Sequence, residues 1–180
     1  VLISRLDDDT ARVRRDELER EIRAALHANQ LDVHFQPQID LASGRCVALE
    51  ALIRWNRTDG TSVSPALIAS VCEERGMMGA LTQFVLNSAL RNQRLWAGQG
   101  LDLAVSINLS PTILADAAFP ILVSHALSTW NVPGDRLTLE LTESAIAQNE
   151  QSAIDFMKQL RELGCHLSMD DFGTGYSSIE

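Results

Sequence analysis

Cysteine is scarce in this sequence. Cys46, Cys72 and Cys165 are the only three in 180 residues, widely spaced and odd in number. A reduced, cytoplasmic setting is the simplest reading, with each thiol serving as a small core residue. Long apolar runs are missing too. No stretch reaches the 18 or so apolar residues of a spanning helix, and no signal-peptide layout is visible, so neither a membrane span nor an export signal is expected. A membrane tether of the parent protein through N-terminal regions outside this sequence is compatible with that reading. Positive charge is in deficit: 15 Lys and Arg stand against 24 Asp and Glu, for a net charge of -9. That argues against a nucleic-acid polymer as partner. It leaves room for a small anionic ligand where metal ions reverse the local field. An initial methionine is absent as well, as expected of a piece of a longer protein.

What remains is ordinary for a globular chain: 46% hydrophobic and 22% charged residues, at a length suited to one domain with a sizeable core. The stretch that organises it is Leu49 to Trp55. It reads as a strand that places Glu50, Leu52 and Arg54 on one face and Ala51, Ile53 and Trp55 on the other. A carboxylate and a guanidinium inside an apolar strand are costly to bury without partners. An internal ion pair or a solvated edge strand accounts for them as well as a functional site does. The downstream pattern separates these readings.

Asp7 to His27 has helical periodicity, with a basic cluster at Arg12, Arg14 and Arg15 that reads as a solvated face and a stop at Asn29. Leu31 to Ile39 reads as a strand in which Pro37 implies an edge or strand end. A short turn from Leu41 to Arg45 predicts antiparallel pairing with the Glu50 strand. A loop from Asn56 to Ser64 follows, then a helix starting at Pro65 and a longer helix over Leu81 to Ala97. Beyond that the order turns regular: strand at Leu103 to Leu109, largely helix at Leu114 to Thr129, strand at Arg136 to Leu141, helix at Gln151 to Leu163, strand at His166 to Asp170.

Asn108, Glu140 and Asp170 are spaced by 32 and 30 residues, the period of a βα repeat. The fold class predicted is therefore α/β with a parallel sheet, open or closed into a barrel. Val105, Ile107, Leu109, Leu137, Leu139, Leu141, Leu167 and Met169 would face outer helices. Ala104, Ser106, Asn108, Thr138, Glu140, His166, Ser168 and Asp170 would face inward. The polar face ends in an oxygen ligand on each strand: Glu50, Asn108, Glu140, Asp170. In (β/α) barrels active sites form at that end. Converging carboxylates repel without cations, and hard ions such as Mg²⁺ or Mn²⁺ prefer oxygen donors. Asp171 adds a carboxylate, as expected if two ions share the site. A lone strand-end Asn is more often a turn former and a lone Asp-Asp a cap, but four oxygen residues in phase are hard to explain that way. The histidines show no ligand spacing, and His166 reads as a satisfied interior residue. Asp171 to Ser178, with two glycines two apart, suits a mobile loop; a phosphate cradle is the rival reading.

Phe35-Gln36-Pro37, Glu50-Ala51-Leu52 with Arg54-Trp55, Ser64-Pro65, Asn108-Leu109-Ser110, Glu140-Leu141-Thr142-Glu143 and Asp170-Asp171-Phe172-Gly173-Thr174-Gly175 occur in that order. Together they resemble the EAL domain, the cyclic-di-GMP phosphodiesterase family, over about Leu31 to Glu180. The resemblance implies a TIM-type (β/α) barrel with an antiparallel first strand. It implies an enzyme that hydrolyses cyclic-di-GMP to linear pGpG in second-messenger signalling, using a water held between two Mg²⁺ or Mn²⁺ ions. Glu50, Asn108, Glu140 and Asp170 match the family's metal ligands, Asp170 as a bridge, with Asp171 on the second metal; Glu50, Asp170 and Asp171 are the implied catalytic residues. Gln36, Leu52, Arg54 and Pro65 match positions that hold the dinucleotide. Glu143 matches the anchor of the Gly173–Gly175 loop, which in the family couples to homodimerisation. Residues 1–30 resemble a connector helix that follows an upstream GGDEF or sensory domain, leaving 31–180 as the phosphodiesterase portion.

The sequence departs from the family at its C-terminal end. A barrel of this type takes about 250 residues, and the chain stops at Glu180 after the fifth expected strand, short of the family's next-strand lysine and later glutamate and glutamine. The barrel is incomplete in this chain. A fragment, a domain only partly included, or a fold completed by another chain each accounts for that. The competing function is a catalytically inactive cyclic-di-GMP-binding sensor or scaffold. A purely structural domain would not need the four oxygen residues in phase.

Overall fold

The structure, a computed structural model, describes residues 2–142 and 150–170. Helix α1 (Leu2–His27) leads to β1 (Asp32–Ile39) and β2 (Cys46–Asn56), then a short β3 (Ser62–Val63). Helices α2 (Pro65–Glu74) and α3 (Met78–Gly98) precede β4 (Ala104–Leu109). A 3-10 turn, α4 (Phe119–Trp130), a second 3-10 turn (Gly134–Arg136), β5 (Leu137–Thr142), α5 (Glu150–Glu162) and β6 (His166–Asp170) complete it.

The sheet order is β1-β2-β4-β5-β6. β1 pairs antiparallel with β2, and the three pairings that follow are parallel. Pro37, which has no N–H to donate, lies on the edge strand β1, as predicted. Helix ends follow local chemistry. Asn29 takes a positive φ just past α1, and Gly164 does so past α5. Ser64 caps α2, its Oγ accepting from the Leu67 N–H at 3.3 Å, with Pro65 in the first turn.

The sheet curls. If it were flat, β1 and β5 would stand about 14 Å apart, three strand spacings. Yet the Gln38 amide on β1 donates to Glu140 on β5 at 3.1 Å. One face is thereby an interior and the other an exterior. On the exterior, Val105, Ile107, Leu137, Leu139 and Leu141 are buried against Leu86 and Leu90 of α3, Phe119 and Val123 of α4, and Phe156 and Leu160 of α5. Burying each such side chain contributes on the order of 1.5–3 kcal/mol. This is the wall of a (β/α) barrel, incomplete in this chain.

Helix α1 belongs to a second apolar cluster, with Leu18, Ile22 and Ala25 against Trp55, Ile68 and Val71. Ion pairs flank that seam: Arg15 with Glu74, Arg75 with Asp16, Arg57 with Glu21. Arg15, from the basic cluster read as solvated, is exposed but paired.

Three placements differ from expectation. The loop from Asn56 contains β3, which pairs Trp55 with Val63; two residues are too few to show alternation. Met169 is 47% exposed rather than packed outside, and His166 is exposed rather than interior. Both lie on β6, the last strand of the described sheet, which has no further strand beside it.

Cys72 and Cys165 are buried, and burial pushes both thiols up to about 11. Cys46 is only partly buried. Because the thiolate is the nucleophile, a thiol reagent at pH 8 is expected to label Cys46 first and the other two only after unfolding. Peptide mapping of the labelled chain checks the order.

Candidate functional site

The interior face is built from β1, β2, β4 and β5. Registers place Gln36 opposite Glu50, Glu50 beside Ser106, and Asn108 beside Glu140. Glu50 does not end its strand. β2 runs on to Asn56, but its parallel pairing with β4 ends at Ala51. Glu50 therefore stands at the C-terminal limit of the parallel portion, and the rest of β2 pairs only with β1 and β3.

The structure brings three predicted residues together. Asn108 Nδ2 donates to Glu50 Oε1 at 2.7 Å. Glu140, only 8% exposed, lies across from Asn108 and accepts from Gln38 Nε2 through Oε1. The same Gln38 nitrogen donates to the fully buried Ser106 Oγ at 3.2 Å. Among the described residues neither Glu50 nor Glu140 has a cationic side chain within ion-pair distance. Asp170 ends β6 opposite Thr142, one pleat beyond Ser168, which pairs with Glu140. Asp171 and Glu143 lie outside the described residues, as does the Gly173–Gly175 loop. Among the described residues no three His, Cys, Asp or Glu side chains cluster as a metal site; the described set is two carboxylates and one amide.

The substrate-side residues lie along the extension of β2. Leu52 and Arg54 continue the face of Glu50, opposite His34 and Asp32. Arg54 is half-buried, and its Nη1 donates to the Ile53 carbonyl at 2.8 Å. No carboxylate among the described residues pairs with it. The β2–β3 pairing returns the chain so that Pro65 follows two residues after Val63, the partner of Trp55. Ser110, just past β4, donates to Glu73 of α2 and so ties the Asn108 strand end to the helix that Pro65 opens. No described hydrogen bond joins Gln36, Leu52, Arg54 and Pro65 to one another. A cavity of about 900 Å³ lies elsewhere, between the end of α1, the outer face of β1 and α3, lined by Val33, Phe35, Gln83 and Trp130 among others and by none of the candidate site residues.

Gln38 was not singled out by sequence reasoning. The available signal was its phase, two residues beyond Gln36 on the same strand face.

The EAL domain family model matches residues 19–180. The chain belongs to the EAL domain family. The match begins within α1, whose later turns pack in the second core. Among curated relatives of this EAL chain, an uncharacterized signaling protein of Caulobacter vibrioides is 40% identical over 172 residues, covering 96% of the chain and 21% of the relative. Cyclic di-GMP phosphodiesterase NbdA of Pseudomonas aeruginosa is 38% identical, covering 91% of the chain and 21% of the relative. The chain thus spans about a fifth of the length of these relatives. The solved PaMucR phosphodiesterase in complex with c-di-GMP superposes with a TM-score of 0.85 at 33% identity, over 90% of this chain and 66% of that one. The TIM-barrel-like fold of the EAL domain is thereby shared.

Proposed function

We propose that this EAL domain, in its parent protein, hydrolyses cyclic-di-GMP to linear pGpG in second-messenger signalling. The observation that carries the reading is the placement of Glu50, Asn108 and Glu140 on one interior face, where parallel pairing ends, with two carboxylates that no described cation neutralises. NbdA is named a cyclic di-GMP phosphodiesterase, and PaMucR was solved with the dinucleotide; both support the reading.

The donor set fits hard divalent ions. Carboxylate and amide oxygens suit Mg²⁺ or Mn²⁺, and unpaired buried negative charge calls for a cation. Glu50, Asn108 and Glu140, with Asp170 and Asp171, would hold them, two ions in all. When bound, such ions lower the pKa of water and neutralise charge on a phosphodiester. The chain's own residues do the positioning. Arg54 carries a guanidinium suited to a phosphate, and Gln36, Leu52 and Pro65 would hold the dinucleotide with it. Hydrolysis adds the water oxygen to phosphorus and releases one ribose oxygen, which opens the ring to pGpG.

Around this site, residues 1–30 serve as the connector from an upstream GGDEF or sensory domain and 31–180 as the phosphodiesterase portion. Glu143 anchors the glycine loop, the parent assembles as a homodimer, and the setting is cytoplasmic. Among the described residues no helix is long and apolar enough to cross a membrane.

Arg54→Ala in the complete parent domain is expected to weaken cyclic-di-GMP binding by about 1.5–3 kcal/mol, the value of a charge-assisted contact. Titration calorimetry of both proteins reads it. Equal affinities would remove Arg54 from the phosphate and leave the substrate reading without its anchor.

A further inference from the structure

We infer that Gln38 is a positioning residue that holds the Glu140 carboxylate in place for a divalent cation. The inference rests on the reading of Glu140 as a metal ligand. Gln38 stands on the edge strand β1, opposite Ala48, where the β1–β2 register shifts between Gln38 and Ile39. Such irregularities re-aim side chains, and this one reaches across the interior to β4 and β5. One amide nitrogen carries two hydrogens. Ser106 Oγ lies 3.2 Å from it and Glu140 Oε1 3.1 Å. Ser106 is fully buried and Glu140 nearly so, so neither partner has ready access to water as a substitute.

The chemistry of the donor matters. A lysine or arginine in this place would neutralise Glu140 and compete with a cation. The amide is neutral. It fixes one carboxylate oxygen and leaves the charge intact, with Oε2 free of any described donor. Partners of this kind orient ligating groups, and their removal typically costs 10- to 100-fold in metal affinity.

The test measures Mn²⁺ binding alone, without dinucleotide, on the full parent chain, using the electron paramagnetic signal of free Mn²⁺. Gln38→Met keeps an unbranched side chain and deletes the donor. Its Mn²⁺ affinity is expected to fall about 10- to 100-fold. A purely structural strut would lower the melting temperature and leave Mn²⁺ affinity unchanged, and that result overturns the inference. Glu140→Gln, measured alongside, separates the two layers. If it weakens Mn²⁺ binding and Gln38→Met does not, Glu140 is a ligand and Gln38 does not position it. If Glu140→Gln has no effect, the metal reading fails and takes the inference with it. Should Gln38→Met not fold, the wild-type chain decides. The Gln38 side-chain amide resonance is expected to shift on titration with Mg²⁺ alone, and a resonance that stays fixed through saturation overturns the inference.

Discussion

Glu140→Gln is expected to cut cyclic-di-GMP turnover by the full parent chain on the order of a hundred- to a thousand-fold, the usual cost of one electrostatic group at a reacting centre. Glu140 is the most buried described carboxylate of the site, held at Oε1 by Gln38. Glutamine has the same shape and keeps an acceptor oxygen for that amide, but it carries no charge to offer a cation. Stability should move the other way or not at all. Removing an unpaired charge from a largely buried place relieves a desolvation cost rather than opening a cavity. Loss of turnover with an unchanged or raised melting temperature is therefore the expected pair of results. Rates of pGpG formation and a thermal melt of both proteins give them. Wild-type turnover by the variant would remove Glu140 from the chemistry.

Gly134→Ala is expected to cost about 3 kcal/mol of stability, at the upper end of the overpacking range. A Cβ at Gly134 would lie 2.0 Å from the Leu163 carbonyl oxygen and 2.9 Å from its carbon. These are main-chain atoms, so no rotamer change relieves the clash. The 3-10 turn into β5 and the Leu163–Gly164 turn into β6 touch there backbone to backbone, and separating them strains the β5–β6 pairing that carries Asp170. For a chain of this size such a loss lowers the melting temperature by roughly 6–12 °C. Gly98, at the end of α3, has nothing within 4 Å of its would-be Cβ, so Gly98→Ala should be neutral or slightly stabilising. Equal melts for the two variants would mean that the turns separate at little cost.

Much of this architecture was legible because strand alternation and capping are local. The apolar phase of Val105, Ile107 and Leu109 announces a wall packed by helices, and the structure buries all three. Asn29, Gly164 and the Ser64-Pro65 pair mark boundaries that need no tertiary information. The placement of Glu50, Asn108 and Glu140 on one face was also readable, because equal phase on neighbouring parallel strands leaves few other arrangements. What was not legible depends on distance across the interior. Nothing local to Gln38 says that its amide meets a side chain 102 residues away. That contact exists only because the sheet curls. Likewise the exposure of His166 and Met169 follows from the position of β6 in the sheet, not from its own residues. The tie between Ser110, just past β4, and Glu73 of α2 joins two segments whose spacing in sequence carries no period.

Cleavage of the dinucleotide, rather than binding alone, is what separates an enzyme from a sensor at this site. The most direct measurement is chromatographic detection of pGpG from cyclic-di-GMP, with Mg²⁺ or Mn²⁺ and then with a chelator in excess. Product is expected from the chain extended through the full barrel and is abolished by the chelator. No appreciable product is expected from residues 1–180 alone, which cover 66% of the PaMucR phosphodiesterase chain. Tight binding of cyclic-di-GMP by the extended chain without any pGpG, with either metal, would make the domain a sensor and not an enzyme.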